Sequence, residues 1–256
     1  MQITKTAVLS PYLLPVYRKK IMHPAFLILP GGGYVYTSLR EGAPVASQLN
    51  ALGYQAFVLD YSCYERDNHF SLQTLLEEVK KSLEYIIENA NMLRVNPDEI
   101  YVMGFSAGGH LAAIAGSLFY RYIKRVVLAY PALTHKYSAP DVLERFQQEN
   151  PNLDLTSIKA IWQTDAVDYV SKFTPPTFVW GTADDTNVNP QGAFDYIRRL
   201  HQTKIPVEFH LYGHGVHGLS LATAATAEDG QQINPHVASW ISLLESWLQG
   251  ERQSDQ

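Results

Sequence analysis

The chain has a single cysteine, Cys63, among its 256 residues. One cysteine excludes an internal disulfide and fits a reducing compartment. No apolar run approaches the roughly 18 residues that a membrane-spanning helix needs. The N-terminal residues also lack the basic and apolar segments of a secretory signal. These absences predict a cytoplasmic protein that has no membrane partner.

A strong charge of either sign is missing too. The formal net charge is -5, and acidic and basic residues are interspersed, so the sequence offers no basic surface for nucleic acid. There is no Gly/Ser-rich or Pro-rich linker and no low-complexity tract, which favours one domain over residues 1–256. Hydrophobic residues make up 46% of the chain, enough for a large buried core. The sequence leaves the oligomeric state open, including a homo-oligomer.

Short apolar runs alternate with amphipathic segments along most of the chain. The apolar runs predict strands at 25–29, 55–59, 100–103, 125–129, 177–181 and 207–211. Helical spacing and helix-start residues predict helices at Ser71–Asn89 and Pro44–Leu52, one from Pro190 with Asn189 as its N-cap, and a last one opened by Asn234-Pro235. The first two dozen residues are predicted to form irregular edge structure or a hairpin at the rim of a sheet. This alternation indicates an α/β fold with a mostly parallel, doubly wound sheet.

The clearest chemical signature is the Gly-x-Ser-x-Gly pattern at residues 104–108, between a predicted strand and a helix of small residues. The pattern is typical of a nucleophile elbow, a sharp strand-to-helix turn in which larger side chains beside the serine would collide with neighbouring backbone. The turn exposes the hydroxyl of Ser106. It also aims the start of the helix at that hydroxyl, so the Ala107 amide can stabilise an oxyanion. The alternative without chemistry is a chance Gly/Ser turn.

A triple glycine, Gly31–Gly33, directly follows the predicted strand at 25–29. Glycines let the backbone turn with its amides facing one way, which is how a loop becomes an anion site. We expect the amides of Gly32 and Gly33 to form the second half of an oxyanion hole. A flexible turn is the alternative. The dinucleotide and P-loop patterns are both absent, and no cofactor is expected.

An acid and a base follow the last two predicted strands. Asp185 heads an Asp-x-x-Val segment and is favoured over Asp184, while His217, in a glycine-rich loop, is favoured over His214. Both alternatives stay open. The spacing of His214 and His217 also suits metal ligands, but no carboxylate stands in a zinc-protease pattern and no cysteine is near, so no metal is predicted.

A polar, proline-broken stretch at about 133–173 separates two predicted strands. It shows weak helical periodicity, including 141–149 and 157–170. Insertions of this kind usually form a cap or lid over the site. We expect the residues that select the substrate to lie in this segment.

Several motifs in order resemble those of α/β-hydrolases of the esterase/lipase group. They are Pro-Gly-Gly-Gly-Tyr at 30–34, Glu-Gly-Ala-Pro-Val-Ala at 41–46, the elbow continuing to Ala112, the aspartate pair at 184–185 and His-Gly at 217–218. The chain looks most similar to bacterial acetylxylan and feruloyl esterases, from about Ala25 to Trp247. Pro30 stands where the related lipase motif has histidine. The resemblance implies the α/β-hydrolase fold with a small cap insertion, and a triad in the chain order serine, acid, histidine.

The resemblance and the motifs together predict a serine carboxylesterase. His217 takes the proton of Ser106, Asp185 orients the imidazole, and the amides of Gly32, Gly33 and Ala107 hold the oxyanion. We expect small acyl esters as substrates, such as acetylated oligosaccharides taken into the cell. An amidase, peptidase or formamidase could use the same triad. A non-catalytic protein of this fold that binds a ligand is the other alternative.

Overall fold

The computed structural model describes residues 1–16, 21–137, 147–148, 151 and 154–254, with backbone only from residue 251. Its strands are β1 (Val8–Tyr12), β2 (His23–Leu29), β3 (Gln55–Asp60), β4 (Val95–Phe105), β5 (Arg125–Ala129), β6 (Thr177–Thr182) and β7 (Val207–Tyr212). They form one sheet in the order β1-β3-β2-β4-β5-β6-β7. Every neighbouring pair is parallel except β1 with β3. The prediction of a mostly parallel α/β sheet is confirmed.

Helices cover both faces of this sheet. They are α1 (Ala43–Ala51), α2 (Leu72–Glu88), α3 (Ala90–Leu93), α4 (Ser106–Leu118), α5 (Thr156–Trp162), α6 (Gln191–Gln202) and α7 (Trp240–Ser254). One core cluster holds the apolar sides of α2, α4 and α6, and a second cluster holds those of α1 and α7. Among the described helices, none is long and apolar enough to cross a membrane.

The central strands are apolar throughout because both of their faces are buried. In β2, Leu27 and Leu29 belong to the core cluster on one face, while Phe26 and Ile28 belong to the cluster on the other. All four side chains are fully buried. Successive residues of a strand point to opposite faces, so a sheet covered by helices on both sides needs continuous apolar runs rather than alternation.

The N-terminal segment agrees with its prediction, and two predicted helix starts differ from the structure. The N-terminal segment lies at the rim of the sheet, where β1 pairs antiparallel with β3 as the edge strand and Gln2 forms an antiparallel bridge with Val8. The helix predicted to begin at Pro190 begins one residue later, at Gln191. The one predicted after Asn234-Pro235 begins only at Trp240. There the Asn234 side chain accepts a hydrogen bond from the Val237 amide and starts a 3₁₀ turn instead.

The segment at 133–173, predicted to form a cap, is described only in part. The helix predicted at 141–149 lies outside the described residues except for 147–148. The periodicity at 157–170 corresponds to two pieces, α5 and a 3₁₀ turn at Ala166–Tyr169. The chain is extended at Asp165, whose buried carboxylate accepts the His135 amide and pairs with Lys136, and this ends the helical path.

Helix α4 approaches the sheet closely because glycines face it. A Cβ on Gly108 would come closer than 3.0 Å to the backbone oxygen of Leu29, and a Cβ on Gly104 equally close to that of Gly108. Backbone atoms cannot move aside as a flexible side chain can, so only glycine fits at either position. The close approach seats Ser106, the first residue of α4, between the ends of β2 and β4.

We expect Gly108→Ala to lower the free energy of unfolding by about 2 kcal/mol or more. Alanine gains about 1 kcal/mol of helix propensity, but overpacking against fixed backbone costs about 3 kcal/mol. Gly230→Ala is the matched control, because a Cβ there meets nothing within 4 Å, and its effect should stay within about 0.5 kcal/mol. Urea unfolding of both variants measures the difference. Equal stabilities would contradict the packing argument.

Candidate active site

Loops that leave the carboxyl ends of five parallel strands meet at one edge of the sheet. Open parallel sheets bind their ligands at this edge. The glycine loop follows β2, Ser106 follows β4, Tyr130 follows β5, Asp185 follows β6 and His217 follows β7. The topology therefore gathers residues that are distant in sequence.

Ser106 sits in the strained turn that the motif predicts. Its φ is +50°, in the left-handed region that favours glycine. The preceding residue, Phe105, is still extended, and α4 begins at the serine itself. The Ser106 Oγ lies 2.8 Å from Nε2 of His217. A hydroxyl so placed has a ring nitrogen ready to take its proton.

The hydrogen bonds of His217 fix its tautomer. The Nδ1 atom lies 2.6 Å from Oδ2 of Asp185, and an ionised carboxylate can only accept. Nδ1 therefore carries the hydrogen, which leaves Nε2 as the acceptor for the Ser106 hydroxyl. The His217 side chain is 16% exposed, and that of Asp185 is 3% exposed. The low exposure keeps water from competing for these hydrogen bonds.

The Asp-x-x-Val segment explains how Asp185 is aimed. Its Oδ1 accepts the backbone amides of Asn187 and Val188, at 2.8 and 2.9 Å, so that only Oδ2 turns toward His217. Because the amide donors lie two and three residues downstream, the turn itself holds the carboxylate.

Asp184, the alternative acid, has other partners. Its carboxylate accepts the Gly215 amide at 2.8 Å and lies 3.1 Å from Nδ1 of His214. These two groups hold the pKa of Asp184 below its usual value. Its side chain is 51% exposed and that of His214 is 92% exposed. The pair anchors the loop that carries His217 and lies at the surface.

The glycine loop packs directly against Ser106. A Cβ on Gly31 would lie 3.0 Å from the Ser106 Cβ, and Gly32 and Gly33 both have positive φ. Within the described part of the chain, the amides of Gly32 and Gly33 donate to no acceptor. The Ala107 amide belongs to the first turn of α4, where amides have no partner inside the helix. All three predicted donors thus lie in segments that adjoin the serine.

His110, one turn along α4, is a structural residue. Burial lowers its pKa to about 4, so the ring is neutral at pH 7. Its Nε2 donates to the Thr164 carbonyl at 2.7 Å, and its Nδ1 accepts from the Tyr34 hydroxyl at 2.8 Å. In the described part of the chain, no group of three or more His, Cys, Asp or Glu side chains is arranged to hold a metal.

Two buried residues beside the site escaped the sequence analysis. Glu41 is 3% exposed and accepts hydrogen bonds from the Gly31 amide and the Tyr130 hydroxyl, both at 2.6 Å. The Tyr130 ring packs edge-on against that of His217, with centroids 5.2 Å apart. Glu41 heads the motif at 41–46, but a glutamate just ahead of a helix resembles an ordinary helix-terminal charge, so the motif did not indicate a buried carboxylate.

The assembled groups suit nucleophilic attack on an electrophilic carbon. A hydroxyl, an imidazole and a carboxylate form one hydrogen-bonded chain, and backbone amides lie beside the hydroxyl. This is the set of groups that activates a serine and stabilises the negative charge of a tetrahedral intermediate.

Among known proteins, the α/β-hydrolase enzyme MGS-M1 from a deep-sea metagenome library has a solved structure that is 33% identical with a TM-score of 0.81, covering 97% of this chain and 94% of its own. A family model described as BD-FAE matches residues 12–128. The solved structure of a sugar hydrolase, YeeB from Lactococcus lactis, is 33% identical and has a TM-score of 0.88, covering 100% of this chain and 98% of its own. The carboxylesterase Cest-2923 from Lactobacillus plantarum is 28% identical with a TM-score of 0.82, covering 95% and 92%. An acetylxylan esterase from Xylanibacter ruminicola is 25% identical over 86% of this chain. The chain spans only 34% and 45% of the length of the first curated relatives that it matches.

We expect Asp185→Asn to slow covalent labelling of Ser106 by a fluorophosphonate far more than Asp184→Asn does. Asparagine at 185 can donate to Nδ1 and so favour the wrong imidazole tautomer, a change that costs on the order of 10⁴-fold where it has been measured. Asp184→Asn should change the rate by less than about tenfold, because Asp184 supports the loop through His214 and Gly215. Labelling rates followed by gel fluorescence make the comparison. The reverse order would assign the acid role to Asp184.

Proposed function

Since this chain belongs to the α/β-hydrolase family, we propose that it is a serine carboxylic ester hydrolase acting through an acyl-enzyme. The observation that carries the proposal is the hydrogen-bonded chain from Ser106 Oγ to His217 Nε2 and from His217 Nδ1 to Asp185. The carboxylesterase and acetylxylan esterase among its relatives support the same reaction class.

In the first half of the reaction, Ser106 Oγ attacks the ester carbonyl carbon while His217 Nε2 accepts the hydroxyl proton. Asp185 stabilises the imidazolium that forms. The carbonyl oxygen becomes an oxyanion held by the amides of Gly32, Gly33 and Ala107. Each such donor contributes about 3 kcal/mol where it has been tested. The ester C–O bond then breaks, and the leaving alcohol takes the proton from His217.

In the second half, water replaces the alcohol. His217 Nε2 accepts a proton from the water as its oxygen attacks the acyl carbon, and a second oxyanion forms in the same amide pocket. Collapse breaks the bond to Ser106 Oγ, which takes the proton back from His217. The carboxylic acid leaves, and the enzyme returns to its starting state without any cofactor.

The proposed substrates are small, uncharged acyl esters, in particular acetyl groups on oligosaccharides. The acetylxylan esterase among the relatives supports a carbohydrate ester. A chain with interspersed charges and a net charge of -5 offers no basic surface for a polyanionic substrate. A cytoplasmic location, also part of the proposal, favours oligosaccharides over polymeric xylan, which would not reach the enzyme.

We also propose that residues 1–256 form one domain in which the segment at 133–173 caps the site. Trp162 of this segment packs on Tyr34 of the glycine loop and on His110, with ring centroids 5.2 and 5.3 Å apart. The Thr164 carbonyl accepts from His110. These contacts join the segment to both the glycine loop and α4, and support a role in shaping the substrate pocket.

The test is acetate release from acetylated xylo-oligosaccharides by the wild type and by Ser106→Ala, with an activated aryl acetate as the reference substrate. We expect release from both substrates by the wild type. Ser106→Ala should lower turnover by a factor on the order of 10⁶, because the nucleophile is lost.

Three other results of these assays would change the proposal. Cleavage of the aryl acetate alone would overturn the carbohydrate assignment and leave the ester hydrolase. Cleavage of an aryl amide or formamide in preference to the esters would replace the esterase with an amidase. No turnover of any of these substrates by folded protein would favour a non-catalytic ligand-binding protein.

A further inference from the structure

The carboxylate of Glu41 is buried beside the proposed active site, and the proposed reaction gives it no role. Its Oε2 accepts the Gly31 amide, and its Oε1 accepts the Tyr130 hydroxyl, both at 2.6 Å. A Cβ on Gly31 would lie 2.8 Å from Oε2, so glycine is needed there for the carboxylate to come so close. Gly31 directly precedes the glycines of the proposed oxyanion hole.

The Tyr130 hydroxyl carries the connection further. Its oxygen accepts the backbone amide of Ser220 at 2.9 Å. Because the Ser220 amide donates to the hydroxyl oxygen, the oxygen acts there as an acceptor, and the hydroxyl hydrogen is free to point at Glu41. Glu41 is thus linked through one side chain to the segment that carries His217, three residues before Ser220.

The turn at Leu39–Glu41 makes further hydrogen bonds to the same segment. The Arg40 guanidinium donates to the Gly218 and Thr226 carbonyls, and the Arg40 carbonyl accepts from the Ser220 hydroxyl. Ser220 has a φ of +52°, a conformation that persists only where surrounding contacts impose it. Neighbouring residues of one turn therefore bind the glycine loop on one side and the histidine loop on the other.

The groups around Glu41 also affect the pKa of its carboxyl. Burial raises the pKa of Glu41 above its usual value, although the hydrogen bonds from Tyr130 and Gly31 and the nearby His217 and Arg40 oppose the rise. Both oxygens face donors, an arrangement that the ionised carboxylate satisfies and the protonated acid does not.

We propose that Glu41 is a positioning residue that couples the oxyanion loop to the histidine loop through Tyr130. The proposal rests on the proposed function, because it assumes that these two loops act together in one reaction. The reaction needs the oxyanion donors and the base to be correctly positioned at the same time. A buried carboxylate linked to both loops fixes the position of one loop relative to the other. The carboxylate does not touch the reacting atoms.

Glutamine is the sharpest probe, since it keeps the shape of the side chain. Its amide nitrogen must face either the Gly31 amide or the Tyr130 hydroxyl. If the nitrogen faces Gly31, two N–H donors point at each other and neither has an acceptor. Facing Tyr130, it requires the tyrosine to reverse its hydrogen bond, which conflicts with the Ser220 amide. Tyr130→Phe is the complementary probe, because it keeps the ring against His217 and removes only the link.

The chain supplies a matched control in Glu78. This glutamate is also fully buried and also accepts a backbone amide and hydroxyls, those of Ser62 and Thr4. Glu78→Gln imposes the same chemical conflict away from the histidine loop. It should lower thermal stability but leave kcat on an aryl acetate within about twofold, because that loop keeps its contacts.

We expect Glu41→Gln and Tyr130→Phe each to lower kcat on the aryl acetate by about tenfold or more with KM within about twofold, since the loss falls on the transition state. Amide hydrogen exchange gives a second readout, independent of turnover. Both variants should exchange faster than wild type in residues 31–36 and in residues 217–220, whereas Glu78→Gln should leave 217–220 unchanged.

The outcomes separate the two proposals. A wild type without turnover would refute the ester hydrolase, and hydrogen exchange would still decide whether Glu41 couples the loops. An active wild type whose Glu41→Gln variant keeps full kcat would overturn the positioning role and leave the esterase. Faster exchange in only one of the two segments would likewise contradict coupling. Equal loss of kcat in Glu41→Gln and Glu78→Gln would reduce Glu41 to a structural residue.

Discussion

The tight turn from β4 into α4 is the constraint on which the rest of the site depends. Gly104 and Gly108 let the helix start against the backbone at the end of β2, and Ser106 takes a positive φ as a result. The hydroxyl is then presented at the one edge of the sheet where the other parallel strands also end. Without that close packing, the glycine loop would not lie against the serine.

A second constraint is electrostatic. The site gathers two carboxylates and an imidazole that are largely buried, where each unsatisfied group would be costly. Asp185 satisfies its second oxygen with amides of its own turn, and Glu41 satisfies its two oxygens with the Gly31 amide and the Tyr130 hydroxyl. The hydrogen bonds that prevent this cost also fix the geometry, so stability and positioning come from the same contacts.

The sheet and the local motifs could be predicted from the sequence because their signals are local. Apolar runs mark the buried strands, and Gly-x-Ser-x-Gly marks the turn at Ser106. The ranking of Asp185 over Asp184 followed from Asp-x-x-Val, whose amides hold the carboxylate in the structure. Glu41, Tyr130 and Ser220 could not be predicted as partners, because their contacts span up to 90 positions and leave no periodic pattern. The late start of α7 was missed because Asn234 caps a 3₁₀ turn, a choice that its sequence does not distinguish from a helix cap.

The central claim is that Ser106 forms a covalent acyl-enzyme by attack on an ester-like carbonyl. An aryl carbamate tests it most directly, because the carbamoyl-enzyme formed by a serine hydrolase is slow to hydrolyse and can be located by peptide mass spectrometry. The account predicts one carbamoyl group per chain, on the peptide that contains Ser106, with one equivalent of the aryl alcohol released and no modification in Ser106→Ala. Unmodified wild-type protein, or modification that persists in Ser106→Ala, would contradict it.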